Sequence, residues 1–233
     1  MALFQTSPRP MVHSLRVLAH LLRYPDAGLR AHLGELGPAL HAEGALGATR
    51  LAELDALLRQ LGAQEPLRAE SEYVELFDRG RSTALHLFEH VHGDSRERGP
   101  AMIDLIRTYE QAGLLLAPDE LPDHLPVVLE FASTQPPQQA REFLGEIAHI
   151  VRAIFSALLK RRSPYASVLA AILDLAGEKA EAVPVVPEPG LDESWAEPEA
   201  FGGCSSAGQA RPGQPQPIRI VKSSQPPVQG AQA

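Results

Sequence analysis

One apolar stripe sets the terms for this chain. Between Gln138 and Lys160, Phe143, Ile147, Ile150, Ile154 and Leu158 recur every three or four residues without a break. Only an α-helix puts such positions on one face, and a helix that long must bury that face against partners. The chain supplies partners of the same kind. Leu15, Leu18 and Leu22 form one leucine stripe, and Leu51, Leu54, Leu58 and Leu61 form another; Val168, Leu169, Ile172 and Leu173 make a third apolar set. No stretch sustains a two-residue alternation. The expected fold class is therefore all-α, a single-domain helical bundle.

Punctuation divides the bundle. A helix over 11–22 stops at Arg23-Tyr24-Pro25-Asp26, because the residue before a proline is pushed out of the α region. A weaker helix over 29–41 is expected to be interrupted by Gly34, Gly37 and Pro38, and the helix over 51–61 to stop near Gly62. Pro66 opens the next one. Its inner face carries Ala69, Tyr73, Leu76 and Phe77, with Gly80 as its stop. The segment 82–94 is less regular; Leu85, Phe88 and Val91 fit a short helix with His86, Glu89 and His90 on its other sides. Asp94 or Ser95 is placed to cap a longer helix marked by Met102, Leu105, Ile106 and Tyr109. Pro118, Pro122 and Pro126 precede the helix of Val128, Leu129 and Ala132, and the sequence leaves open which of them starts it. Lys160, Arg161 and Arg162 end the long helix with favourable charge, and Ser163-Pro164 begins the last one. Beyond Gly177, Pro, Gly, Ser, Gln and Ala dominate. Three regions are thus expected: a mobile lead at 1–10, a helical domain at 11–177, and a largely disordered tail at 178–233. Within the tail, a Trp-containing motif at 191–204 includes Trp195, the chain's one tryptophan.

Composition narrows the function. A formal net charge of −8 disfavours general nucleic-acid binding, which needs a basic face. With one cysteine, Cys204, the chain forms no internal disulfide, which fits a reducing compartment. No apolar run reaches membrane-spanning length and the N-terminus lacks a secretory signal pattern, so a cytoplasmic protein without direct membrane insertion is expected.

Two segments, Tyr73–Gly99 and Leu121–Phe131, concentrate His, Arg and acids beyond what packing requires. His86, His90, His92 and His124 suggest a metal site, His86 and His90 standing at i, i+4. Neither a cysteine partner nor the H-E-x-x-H pattern supports it, and histidines in such a segment more often cap helices or pair with carboxylates. Acid–base pairs such as Asp123 with His124, or Glu89 with His90, lack any accompanying nucleophile or phosphate-loop motif. Arg79, Arg81, Arg96 and Arg98 make a local basic cluster that serves equally as a solvated face and as an anion reader. If the helices near Tyr73–Phe77, Leu85–Phe88 and Pro126–Phe131 lie side by side, they form an apolar groove rimmed by His and charge, of the kind that takes an amphipathic peptide. The same residues filling the core is the commoner outcome.

The run YVELFDRGRSTALHLFEHVHGDSRERGPAMIDL, followed by LPDHLPVVLEF, resembles the NarJ family of respiratory nitrate reductase assembly chaperones. LPDHLPVVLEF also resembles the acidic-Pro-Asp-His signature of the wider TorD-like chaperone superfamily. The likeness extends from about Val12 to Phe201, and the island of Trp195, Glu197-Pro198, Phe201 and Cys204 is similar to the family's C-terminal region. It implies a TorD-like, cytoplasmic, non-enzymatic chaperone for the N-terminal segment of the nitrate reductase α subunit. That client and its apo αβ complex are kept competent for molybdenum cofactor insertion. The molybdenum cofactor and iron–sulfur centre belong to the client, and cofactor delivery proteins are further partners. By position, the implied client-binding residues are Tyr73, Leu76, Phe77, Leu85, Phe88, Glu89, His90, Asp123, His124 and Glu130. His90 and His124 are expected as polar contacts at the rim. Two alternatives stand beside this reading: a chaperone for another molybdoenzyme that reads a twin-arginine signal peptide, and a metal-dependent helical hydrolase using the four histidines.

Overall fold

The computed structural model describes residues 9–93 and 95–184. The expected Asp94 cap and the 191–204 motif, with Trp195, Glu197, Pro198, Phe201 and Cys204, lie outside the described residues. Among the described residues the architecture is all-α: α1 (Val12–Leu21), α2 (Ala27–Glu43), α3 (Ala48–Ala63), α4 (Pro66–Tyr73), α5 (Leu87–Val91), α6 (Arg98–Gln111), α7 (Leu125–Thr134), α8 (Pro137–Lys160) and α9 (Ala166–Ala176). No described helix is long and apolar enough to cross a membrane.

The hub is α9. Every residue from Ala166 to Leu173 is buried, as are Leu175 and Ala176, so it is apolar on all sides as a central helix must be. It ends at Gly177, whose φ of +82° is the left-handed conformation glycine adopts without strain. α8 packs along α9, with α3 and α1 closing around it, and α7 lies on α1. The buried face of α8 runs through Ala140, Leu144, Ala148, Val151, Ile154 and Leu158. Phe143 and Ile147, the first two residues of the predicted stripe, therefore sit at its edge.

Local structure departs from the sequence reading where packing or a distant side chain overrides it. α2 is continuous through Pro38. Burial of Leu29, Leu33, Leu36 and Leu40 holds it together although the proline has no N–H for the Gly34 carbonyl. α3 does stop near Gly62, at Ala63, but it is Arg30 that caps it, donating to Leu61 O at 2.7 Å and Gln64 O at 2.6 Å. After α4 the chain widens into a π turn over Val74–Asp78, closed by Arg79 N–H donating to Val74 O at 3.1 Å. The turn presents Tyr73 and Phe77 to Tyr165, and the Tyr73 hydroxyl donates to Leu22 O at 2.7 Å. Gly80 is not left-handed; a Cβ there would sit 2.6 Å from Leu76 O and against Thr83 Oγ1. α6 starts at Arg98 after Glu97, with no side-chain cap from Ser95. Tyr109 is its buried residue, while Met102, Leu105 and Ile106 are half-buried. Pro126 is the proline in the first turn of α7.

Candidate functional site

Two helix starts are tied together at the centre of the sequence motif. His86 precedes α5 and His124 precedes α7, both in extended backbone, and the two residues form an antiparallel bridge. Leu87 N–H donates to Asp123 O at 3.0 Å and Leu125 N–H to Leu85 O at 2.9 Å. Because His86 lies outside α5, it and His90 do not share a helical face, which overturns the i, i+4 pairing read from the sequence.

Behind the bridge lies a carboxylate with no solvent exposure, Asp123. Such a group must be compensated. Its Oδ2 accepts the Phe88 N–H at 3.1 Å, capping α5 from a different segment. Oδ1 faces His86 Nδ1 at 3.6 Å, and Arg98 stands 3.9 Å from Oδ2 while reaching Glu89 at 3.4 Å. Burial alone pushes the Asp123 carboxyl up, but His86, the Phe88 N–H and Arg98 outweigh it and hold it below its usual range. Asp123 raises the His86 imidazole against the pull of burial. The His124 ring stacks on His86 at 5.0 Å, and burial, aided by His86 and Arg23, depresses it to about 4. One histidine is thus biased to carry charge and its neighbour to stay neutral.

On the other side of α7 lies a groove of about 450 Å³ between α1, α7 and the 112–121 segment. A small second core builds its floor: Tyr109, Val127 and Phe131, with Leu114, Leu116 and Phe143 packed against them. Tyr109 and Phe131 rings lie 4.6 Å apart, and the Tyr109 hydroxyl donates to Pro122 O at 2.8 Å. Arg16 and His20 from α1 form one rim, with Arg16 Nε donating to Ser133 Oγ at 3.3 Å. Glu120 and Glu130 form another edge, and both accept from Arg23 Nη2, at 3.1 and 2.8 Å. Beside the groove lies a second depression of about 410 Å³, lined by Arg23, Tyr24, Asp26, Leu29, Glu35 and Leu36 and sharing His20 with the first.

The ten residues taken from the resemblance divide among four places. Leu85, Phe88, Glu89, His90, Asp123 and His124 gather around the bridge; there Leu85 is buried and the His90 ring nitrogen Nε2 donates to Ala84 O at 2.9 Å. Tyr73 and Phe77 are buried in the aromatic cluster, 6% and 4% exposed, and Leu76 lines a separate cleft beside Tyr165. Glu130 lines the groove. Of the expected side-by-side groove, Tyr73, Phe77 and Leu85 are thus core, while Leu76 and Phe88 are half-buried at its edge. His92 packs edge-on to Phe88, and among the described residues no group of three His, Cys, Asp or Glu is placed to hold a metal ion. Motif reasoning passed over the groove residues Arg16, His20, Tyr109, Leu114 and Leu116, and Arg23 beside them. One signal was available: Arg16, His20 and Arg23 fall at i, i+4 and i+7, a polar stripe beside the α1 leucines.

Comparison with known proteins follows the same segments. Residues 39–171 match the nitrate reductase delta subunit family. The chain is 46% identical over 162 residues to the nitrate reductase molybdenum cofactor assembly chaperone NarJ of Escherichia coli (strain K12), covering 70% of this chain and 69% of that one. It is 36% identical over 157 residues to the probable nitrate reductase molybdenum cofactor assembly chaperone NarJ of Bacillus subtilis (strain 168), covering 67% and 84%. Among solved structures, a putative redox enzyme maturation protein from Archaeoglobus fulgidus superposes with a TM-score of 0.51 at 21% identity, covering 76% of this chain and 99% of that one. This likeness shows a shared fold.

Proposed function

The chain belongs to the nitrate reductase delta subunit family, and from that premise we propose that it is a nitrate reductase assembly chaperone whose groove holds the N-terminal segment of the catalytic α subunit. In this reading the protein is cytoplasmic and non-catalytic and carries no cofactor of its own. It keeps the α subunit, alone or in the apo αβ complex, open to molybdenum cofactor insertion, with cofactor delivery proteins as further contacts.

The observation that carries the reading is the groove itself. It has an apolar floor fixed by a second core and a charged, solvent-open rim. An amphipathic helix lays its apolar face into such a surface and keeps its polar face wet. Burying a few leucine-sized side chains supplies several kcal/mol at roughly 25 cal/mol per Å² of apolar area. The ordering of the peptide offsets part of that, so binding is reversible, as a transient chaperone requires. The bridge at 85–87 and 123–125 has a supporting role: it fixes the start of α7, and therefore the floor residues Val127 and Phe131.

Calorimetric titration of the full chain with a synthetic peptide of the α subunit's N-terminal segment tests the proposal. Thr134→Trp fills the groove from an exposed position, and Leu116→Asp charges its wall. Both are expected to abolish binding without unfolding the protein; unchanged binding by both variants overturns the groove as the site. Preferential binding of a twin-arginine signal peptide from another molybdoenzyme overturns the choice of client.

A further inference from the structure

The pairing of Arg23 with two carboxylates says more about the client, given the groove reading. Glu120 arrives from the 112–121 segment and Glu130 from α7, yet both direct an oxygen at the same nitrogen of Arg23. The two carboxylates therefore converge on one cation position at the seam between the depressions, where Arg23 of the second reaches Glu120 and Glu130 of the first beside the shared His20. Arg23 fills that position poorly. Both bonds use Nη2, and its Nε is buried with no hydrogen-bond partner. A guanidinium has five N–H donors, and leaving one buried and unpaired is unfavourable. The three side chains are 38%, 32% and 41% exposed, so the pairing is solvent-screened and open to exchange.

We propose that Arg23 is an internal stand-in at a cation subsite, which an arginine or lysine of the client displaces when the client enters the groove. Around the joined depressions the carboxylates Asp26, Glu35, Glu120 and Glu130 face the two guanidiniums of Arg16 and Arg23. With Arg23 turned outward the excess of negative charge grows, and a cation between Glu120 and Glu130 restores the balance. The client segment is thereby specified as amphipathic, with a cationic residue set among apolar ones. Arginine is favoured over lysine because its planar fork engages two carboxylates at once. An apolar segment without such a cation leaves the Arg23 bridge closed across the seam and engages only one depression.

The test uses the full chain and two synthetic peptides. One is the N-terminal segment of the α subunit, and the other is that segment with each Arg and Lys replaced by Gln. Arg23→Gln removes the competitor and is expected to tighten the native peptide roughly two- to fivefold, the range that a half-exposed ion pair gives. It leaves the neutralised peptide unchanged. The double variant Glu120→Gln/Glu130→Gln loosens the native peptide by a similar factor and again spares the neutralised one. Arg23→Lys, which retains the cation, binds like the wild type and guards against a folding artefact. If both peptides bind equally and respond to none of the variants, the stand-in is overturned while the client reading survives. If neither peptide binds the wild type, the client reading falls and takes the stand-in with it.

Discussion

At the scale of single residues, the chemistry-bearing positions of the motif hold the structure together from inside. Asp123 satisfies an α5 amide and balances His86 and Arg98 at once. Asp123→Ala strands all of these and is expected to cost about 3 kcal/mol, whereas Asp123→Asn, which still accepts from Phe88, costs less; urea unfolding separates the two. The histidine pair gives stability a pH profile. His124 is depressed to about 4, so between pH 6.5 and 4 the unfolded chain binds the extra proton and stability falls on acidification. His86 is raised, so its contribution is complete below 6.5 and is lost as pH climbs through its elevated value. The depressed Asp123 adds a further loss only below the ordinary carboxylate range. Melting temperature should therefore peak near pH 6.5 in the range these groups govern. His124→Gln should flatten the acidic limb, and His86→Gln the limb above the peak.

At the scale of elements, backbone propensity and tertiary packing compete openly. Pro38 is exposed within an unbroken α2. Pro38→Ala restores the missing hydrogen bond to Gly34 and should stabilise the protein by about 1–3 kcal/mol, read from thermal melts. Gly80→Ala drives a Cβ into Leu76 O and should destabilise by a similar amount despite an ordinary backbone angle. These positions also show how much could be read in advance. Periodic apolar residues gave away α1, α3, α8 and α9, since burial of a stripe depends on local spacing alone. The proline signal at 38 misled because its outcome depends on Leu40, a contact that only the fold creates; the glycine signals at 62 and 80 marked the stops to within two residues, but Arg30 and a π turn rather than a left-handed glycine make them. The groove was hidden for the same reason. Arg23 lies 97 residues from Glu120 and 107 from Glu130 in sequence, and no spacing rule connects them. The 121–131 motif divides between two faces: Asp123 and His124 face the bridge, while Val127, Glu130 and Phe131 line the groove.

At the scale of the whole molecule, the bundle has a firm half and a lightly attached half. α1, α8 and α9 share one continuous core, whereas α6 is held by the small cluster of Tyr109, Val127 and Phe131, by the Tyr109 hydroxyl on Pro122, and at its start by Arg98 on Glu89 and Asp123. Tyr109→Phe keeps the ring packing and removes that hydroxyl. It should leave global unfolding nearly unchanged but loosen the 112–121 wall, visible as faster backbone amide exchange in α6 than in α9. The bridge between residues 85–87 and 123–125 gives this asymmetry a geometric meaning. It draws the two ends of the α5–α6 excursion to one point, so everything between them is a closed loop with a narrow neck. A loop closed at its base can open as one cooperative unit while the paired residues at the neck keep their register. On the proposed reading, a segment held in the groove leaves sideways, by one wall parting, and is not drawn out end-first.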